Sequence, residues 1–351
     1  MSGPHDNSPA AKPGSHHRPE GGFRNPWPLS QLHGFRDFLK WTLVERRQNP
    51  RPPDPDRSSF VVATPRFITP RAVPNAVTLT WIGHSSFLLQ LGGLNILLDP
   101  MWSERASPVQ FVGPRRWVRP GVAFDALPPI DVVVLSHDHY DHLDARTVRR
   151  LAGRYPAIRW FAPLGVGAFL RQRGAREIVE QDWWQSSSIG RMEVACVPAQ
   201  HFSGRTLGRR NQTLWCGWTL RTEEHGVFFA GDTALHPEFE TIARRLGPFD
   251  LAILPIGAYE PRWFMGAVHM NPDDCMAAVA QMKPSQNGAR MIVTAGHWGT
   301  FKLTDEPMDE PPRRMRQDWL AAGHPPGDLW VMQHGETRNL AASPVVDGAA
   351  R

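Results

Sequence analysis

Hydrophobic positions change their spacing near residue 77. Upstream, Leu32, Phe35, Phe38, Leu39 and Leu43 recur at helical intervals, with Arg36, Lys40, Arg46 and Arg47 on the other face. The spacing predicts a short amphipathic helix over 32–47. Such a helix either docks on a main domain or lies in a membrane interface. Downstream, "VTLTWIG", "SFLLQLG" and "LNILLDP" read as three short strands joined by Gly and Asn turns. "DVVVLS" (131–136) is apolar throughout and predicts a strand buried on both faces. "RMEVACV", "TLWCGWTL", "GVFFAG", "DLAILPIG" and "ARMIVTAG" are further expected strands. Helices are expected at "DARTVRRLAGR" with Asp144 as N-cap, at "HPEFETIARRLG", at "NPDDCMAAVAQM" with Asn271 as cap, and at "PPRRMRQDWLAAG". Hairpin-like strands come first, and strands alternating with helices follow. That order predicts an α/β fold of two packed sheets with helices outside.

The flanks differ in texture. Residues 1–25 are polar and rich in Pro, Gly and His, and are expected to be a disordered tail in which His16 and His17 are not ligands. Residues 26–75 hold the amphipathic helix and a Pro-rich linker, 76–340 the main domain, and 341–351 a C-terminal tail. No apolar leader and no 18-residue apolar window is visible, so a cytoplasmic protein is expected, with contact to the inner face of the membrane left open.

Composition changes this picture little. The chain of 351 residues carries a net charge of +5, and only four of its 39 basic residues are lysines. Arginine forks suit phosphate and carboxylate groups, so an anionic substrate is compatible. Three widely spaced cysteines form no C-x-x-C pair, which argues against a disulfide scaffold.

The candidate chemistry is concentrated in "VLSHDHYDHLD", 134–144. His137 follows the buried strand, and residues two apart in extended chain point the same way, so His137 and His139 can chelate one ion. Asp141 and His142 follow after a turn and can serve a second place nearby. Imidazole and carboxylate suit Zn²⁺, and are tolerable for Mn²⁺ or Fe²⁺. Three other strand ends each deliver one further ligand-type residue: His201 in "VPAQHF", Asp232 in "FFAGDT" and His297 in "VTAGHWGT".

H-x-H-x-D-H followed by a later His, Asp and His resembles the metallo-β-lactamase superfamily. Within it, "HYDHLD", "PAQHF", "FFAGDT", "GPFDLAILPIGAYEPRWFM" and "HWGTF" are similar to the N-acyl-phosphatidylethanolamine-hydrolysing phospholipase D family, over roughly Val77 to Pro312. The resemblance implies a four-layer αβ/βα sandwich and two Zn²⁺ ions. It implies that His137, His139 and His201 hold one ion, that Asp141, His142 and His297 hold the other, and that Asp232 bridges them. It also implies phosphodiester hydrolysis by a hydroxide between the ions, with Asp141 and His269 catalytic, and with Gln110, Tyr140 and His269 at the substrate site. The implied substrate is a phospholipid or other anionic phosphodiester, with no nucleic acid partner. Homodimer formation is left open. Asp138 and His84 are candidates to orient ligands, and His84 reads first as a satisfied structural histidine beside the metal floor. Tyr259, Trp263, Phe264 and Met265, like Trp183 and Trp184, either line an apolar entrance or pack in the core. The competing expectation is a hydrolase of another small ester or lactone on the same fold. A non-catalytic scaffold would need a degraded ligand set, and all seven positions are intact.

Overall fold

A computed structural model describes residues 14–27, 33–205 and 210–340. The strands, in chain order, are β1 (Thr78–Gly83), β2 (Ser86–Leu91), β3 (Leu94–Leu98), β4 (Val132–Val134), β5 (Arg159–Pro163), β6 (Glu177–Gln181), β7 (Ser186–Ile189), β8 (Met192–Val197), β9 (Gly217–Arg221), β10 (Gly226–Phe229), β11 (Leu251–Pro255), β12 (Ile292–Gly296), β13 (Leu329–Trp330) and β14 (Thr337–Asn339). They form two seven-stranded sheets, ordered β14-β1-β2-β3-β4-β5-β6 and β13-β12-β11-β10-β9-β8-β7.

Side-chain alternation explains why so many strands are apolar throughout. In β4, Val132 and Val134 point into the inter-sheet core with Trp81, Phe87 and Trp218, while Val133 points to the outer core with Val148 and Leu151. In β11, Leu251 and Ile253 face inward, and Ala252 and Leu254 meet Phe239, Cys275 and Trp319 on the other side. Both sheets are thus covered on both faces, which gives the expected α/β four-layer αβ/βα sandwich. The sheets are also tied by a polar bond, since Trp218 Nε1 on β9 donates to the Leu135 carbonyl at 2.8 Å.

The expected helices form at Ala145–Arg154, Glu238–Leu246, Pro272–Met282 and Glu310–Ala321. Asp144 caps the first through Arg146 N, and Asn271 caps the third in a reciprocal box with Asp274. Strands β5, β6, β7, β13 and β14 escape the sequence reading. They are two to five residues long, and β6 and β7 carry Glu and Ser rather than an apolar alternation.

The expected tail is corrected where it is described; residues 1–13 and 341–351 lie outside the described residues. His16 Nε2 and His17 Nε2 each lie 2.7 Å from a different oxygen of Asp182. Phe23 and Trp27 are buried in the inter-sheet core, and Asn25 Nδ2 donates to the His201 carbonyl at 2.8 Å. Buried aromatic area and these bonds offset the ordering entropy that the polar composition suggested would win. Asp182 feels desolvation pushing it up, but bonds from His16 and His17 outweigh this and hold it down at about 2. Its contribution is therefore complete above pH 4 and lost as pH falls toward 2. Asp182→Ala is expected to weaken the arm by about 1–2 kcal/mol at neutral pH. Faster amide exchange confined to 14–27 is the readout, and unchanged exchange there refutes the anchor.

The N-terminal helix runs over 35–48, with a π-helical middle at Lys40–Glu45. Its Leu32 start lies outside the described residues. It docks through Trp41, which packs with Met265 and Val268. No helix among the described residues is long and apolar enough to cross a membrane.

Candidate metal centre

Strand ends of both sheets converge on one place, the usual position for a site in open α/β sheets. From the first sheet, the loop after β4 carries His137, His139, Asp141 and His142. From the second, His201, Asp232 and His297 follow β8, β10 and β12. Gly231 (φ 61°) permits the approach, because a Cβ there would lie 2.6 Å from Ser136 Cβ of the opposite sheet. His84 (φ 56°), Ala258 (φ 63°), His297 (φ 59°) and Asp99 (φ 38°) also hold left-handed backbone around the centre. Strain of this kind collects at functional sites.

All seven expected ligand residues come together in two groups. In the first, His139 Nδ1 lies 2.9 Å from His137 Nε2 and 3.1 Å from His201 Nε2. In the second, Asp141, His142 and His297 gather with His84. Asp232 Oδ2 stands between them, 3.0 Å from both His142 Nε2 and His297 Nε2, 3.8 Å from His137 Nε2 and 3.9 Å from His201 Nε2.

The outer ring atoms fix which nitrogens face inward. His201 Nδ1 meets the Val268 carbonyl at 2.9 Å, and a carbonyl only accepts, so Nδ1 carries the proton and Nε2 presents its lone pair. His142 Nδ1 likewise donates to Asp99 Oδ2 at 2.8 Å. In the first group three inward ring nitrogens crowd together, His139 Nδ1 against His137 Nε2 and His201 Nε2, and His201 at least presents a lone pair there. His142 Nε2, His297 Nε2 and Asp232 Oδ1 are buried with no hydrogen-bond partner. A cation answers every one of these needs, and the imidazole and carboxylate donors fit it.

The electrostatics agree. Burial pushes His137 far down, His139 down to about 3 and His201 down to about 4, so all three are neutral imidazoles. Burial pulls on His142 and His297 too, but Asp232 and Asp141 outweigh it, raising His142 well above the usual range and His297 to about 9. The two carboxylates attract positive charge into the second group.

Supporting residues fall partly where expected. His84 Nε2 donates to Asp141 Oδ2 at 2.9 Å, so it orients the Asp141 carboxylate. Asp138 turns away and accepts from Gly204 N and Thr213 Oγ1, tying those two residues together. Asp99 is the residue the sequence reading missed. It is fully buried and accepts from His142 Nδ1, Ser136 N and Ser136 Oγ. Its signal was present, for it follows β3 as Asp232 follows β10.

A cavity of about 240 Å³ opens onto the centre, with His139, Asp141, Asp232 and His269 on its floor. Phe202, Phe264, Met265, Val268 and Leu303 give it apolar walls, Arg210 a cationic one, and Phe38 and Trp41 of the N-terminal helix complete the rim. His269 is where it was expected. Gln110 and Tyr140 are not. Gln110 is exposed and its amide bonds both ways to the Arg105 backbone. Tyr140 donates to the Arg205 carbonyl at 2.6 Å under the Arg205 guanidinium. Of the aromatic candidates, Phe264 and Met265 line the cavity. Tyr259 and Trp183 are core residues, with the Tyr259 hydroxyl on Glu310. Trp184 lies under Arg245.

Residues 94–295 match the family described as the beta-lactamase superfamily domain. A Mycobacterium tuberculosis protein of unassigned function is 43% identical over 87% of this chain and 79% of its own. N-acyl-phosphatidylethanolamine-hydrolysing phospholipase D 1 of Caenorhabditis elegans is 39% identical over 68% of each chain. Among solved structures, the metallo hydrolase Igni18 of Ignicoccus hospitalis shares the fold with a TM-score of 0.57 at 23% identity, covering 76% of this chain and 99% of that one. With the strand-end histidines and aspartates placed as described, this chain belongs to the metallo-β-lactamase superfamily and is a metal-dependent hydrolase.

Proposed function

We propose that the chain is a zinc-dependent phosphodiesterase of the phospholipase D type, hydrolysing N-acyl-phosphatidylethanolamine-like phospholipids to N-acylethanolamine and phosphatidic acid. The observation that carries this reading is a two-part cluster of histidines and aspartates suited to cations, at the base of an apolar-walled cavity with one cationic wall. The activity in the name of the C. elegans relative supports it. His137, His139 and His201 would hold one ion, Asp141, His142 and His297 the other, with Asp232 shared. A donor set of imidazoles and carboxylates without thiolate suits zinc, with Mn²⁺ or Fe²⁺ as alternatives. When bound, such ions polarise a phosphoryl oxygen and acidify water.

The chain's own residues do the rest. Arg210, stacked on Phe202 with its guanidinium 4.3 Å from the ring centre, presents positive charge to an anionic headgroup. His84 keeps Asp141 oriented toward the centre. Burial holds His269 well below the usual histidine range, so it enters the reaction neutral. Its ring lies 5.0 Å from that of His201 and 4.9 Å from that of His297, close enough to meet a phosphoryl or leaving oxygen. His269→Ala is expected to keep its metal and lose about 10²-fold in turnover. An unchanged rate removes His269 from the reaction.

A second reading keeps the fold and changes the substrate. About 240 Å³ is below the 300–1,000 Å³ of common ligand sites, and such a space suits a small ester or lactone. Fully metallated protein incubated with N-acyl-phosphatidylethanolamine decides between them. Release of both products supports the lipid reading. No release sinks it, and faster turnover of a water-soluble ester selects the second.

A further inference from the structure

We propose that the outward face of the helical segment 35–48 is a docking surface for an anionic lipid membrane, placed to feed headgroups into the cavity. The proposal rests on the lipid reading for its purpose but not for its test.

The helix is inside out. An amphipathic helix on a soluble domain normally buries its apolar stripe. Here the docked side offers one buried aromatic, Trp41, packed on Met265 and Val268, and its other contacts are polar. Trp41 Nε1 and Arg46 Nε both donate to Asp305, and Glu45 accepts from Trp263 Nε1. The side facing water carries Phe35, Phe38, Leu43 and Val44, with 71%, 43%, 52% and 48% of their surface exposed. So many large apolar side chains left in water on one short segment are uncommon on a soluble surface without a partner. Trp263 adds to them, 38% exposed, with the Lys40 ammonium 5.0 Å over its ring.

Charge selects the occupant. Exposed Arg36, Lys40 and Arg47 are interleaved with the apolar side chains. An anionic lipid surface satisfies both sets at once. A second copy of the chain meeting this face across a two-fold axis would bring like charges together.

Position supplies the second argument. Phe38 and Trp41 belong both to this segment and to the cavity rim. The cavity is too small for a headgroup and its acyl chains together, so the chains of a lipid substrate must stay outside it. A rim seated in a bilayer lets them remain among other lipids while the phosphate reaches the centre.

Flotation of the full-length metallated protein with vesicles tests this. One set is phosphatidylcholine, the other phosphatidylcholine with phosphatidylglycerol, and neither contains N-acylated lipid, so turnover plays no part. Wild type is expected to float with the anionic vesicles, and added salt is expected to release it. The double variant L43E/V44E is expected to lose at least tenfold in binding with its melting temperature unchanged, and R36E/R47E about fivefold per residue. Unaltered binding by L43E/V44E overturns the proposal. So does a wild-type dimer in sedimentation that L43E/V44E converts to monomer while no vesicle binding occurs. Hydrolysis of detergent-dispersed lipid without vesicle binding would refute the docking surface alone. Vesicle binding without hydrolysis would refute the lipid substrate alone.

Discussion

On the proposed two-ion assignment, Asp232→Ala is expected to fold, to retain at most about one firmly held divalent ion in place of about two, and to lose roughly 10³-fold or more in turnover. Asp232 Oδ2 is within 3.9 Å of four imidazole nitrogens drawn from both ligand groups. Asp141 Oδ2, by contrast, is placed beside the second group, 3.6 Å from His142 Nε2 and 3.7 Å from His297 Nε2. Removing Asp232 therefore takes away the carboxylate shared by both groups. Elemental analysis after dialysis, alongside turnover, reads the result. A variant with full metal content and near-normal turnover would place the shared role elsewhere. Asp232→Asn keeps the size and loses the charge, so it separates the electrostatic contribution from packing.

The second large effect is expected at Asp99, which touches no substrate. Asp99→Ala leaves His142 Nδ1 and Ser136 without their buried acceptor. An orphaned buried donor costs about 1–3 kcal/mol, so with three such donors left behind stability should fall by about 3 kcal/mol or more. The His142 ring also loses the bond that fixes its tautomer, and metal affinity should drop about 10–100-fold. Denaturant unfolding of the metal-free protein gives the first number, and competition with a chelating dye gives the second. Asp99→Asn can still accept from His142, so it should recover much of the stability and less of the affinity. Equal recovery of both would reduce Asp99 to a packing residue.

Much of this site was legible because strands buried on both faces write themselves as apolar runs. Each such run ends where the chain leaves the core, and a ligand-type residue there is visible in one line of sequence. His137, His201, Asp232 and His297 were found that way. Asp99 obeys the same rule and was passed over because it ends a hairpin strand and has no second histidine beside it. Gln110 and Tyr140 failed for a different reason. Their direction depends on Arg105 and Arg205, and no periodicity reports what a loop side chain bonds to. The N-terminal arm was misread because its composition is polar, while its attachment rests on Phe23, Trp27 and a single distant carboxylate, Asp182. The helix at 35–48 was legible as amphipathic, but sequence could not say which face would turn inward.

The split of the ligands between the sheets has a consequence for how the protein holds together. The first sheet supplies His137 and His139 to one group and Asp141 and His142 to the other, and the second sheet completes each with His201, His297 and the shared Asp232. A cation held there is a removable rivet between two halves of the chain. Its binding free energy adds to the association of the halves by mass action, about 2.7 kcal/mol at a hundredfold excess over the dissociation constant. Chelation should then withdraw that contribution and lower the resistance of the whole fold to unfolding.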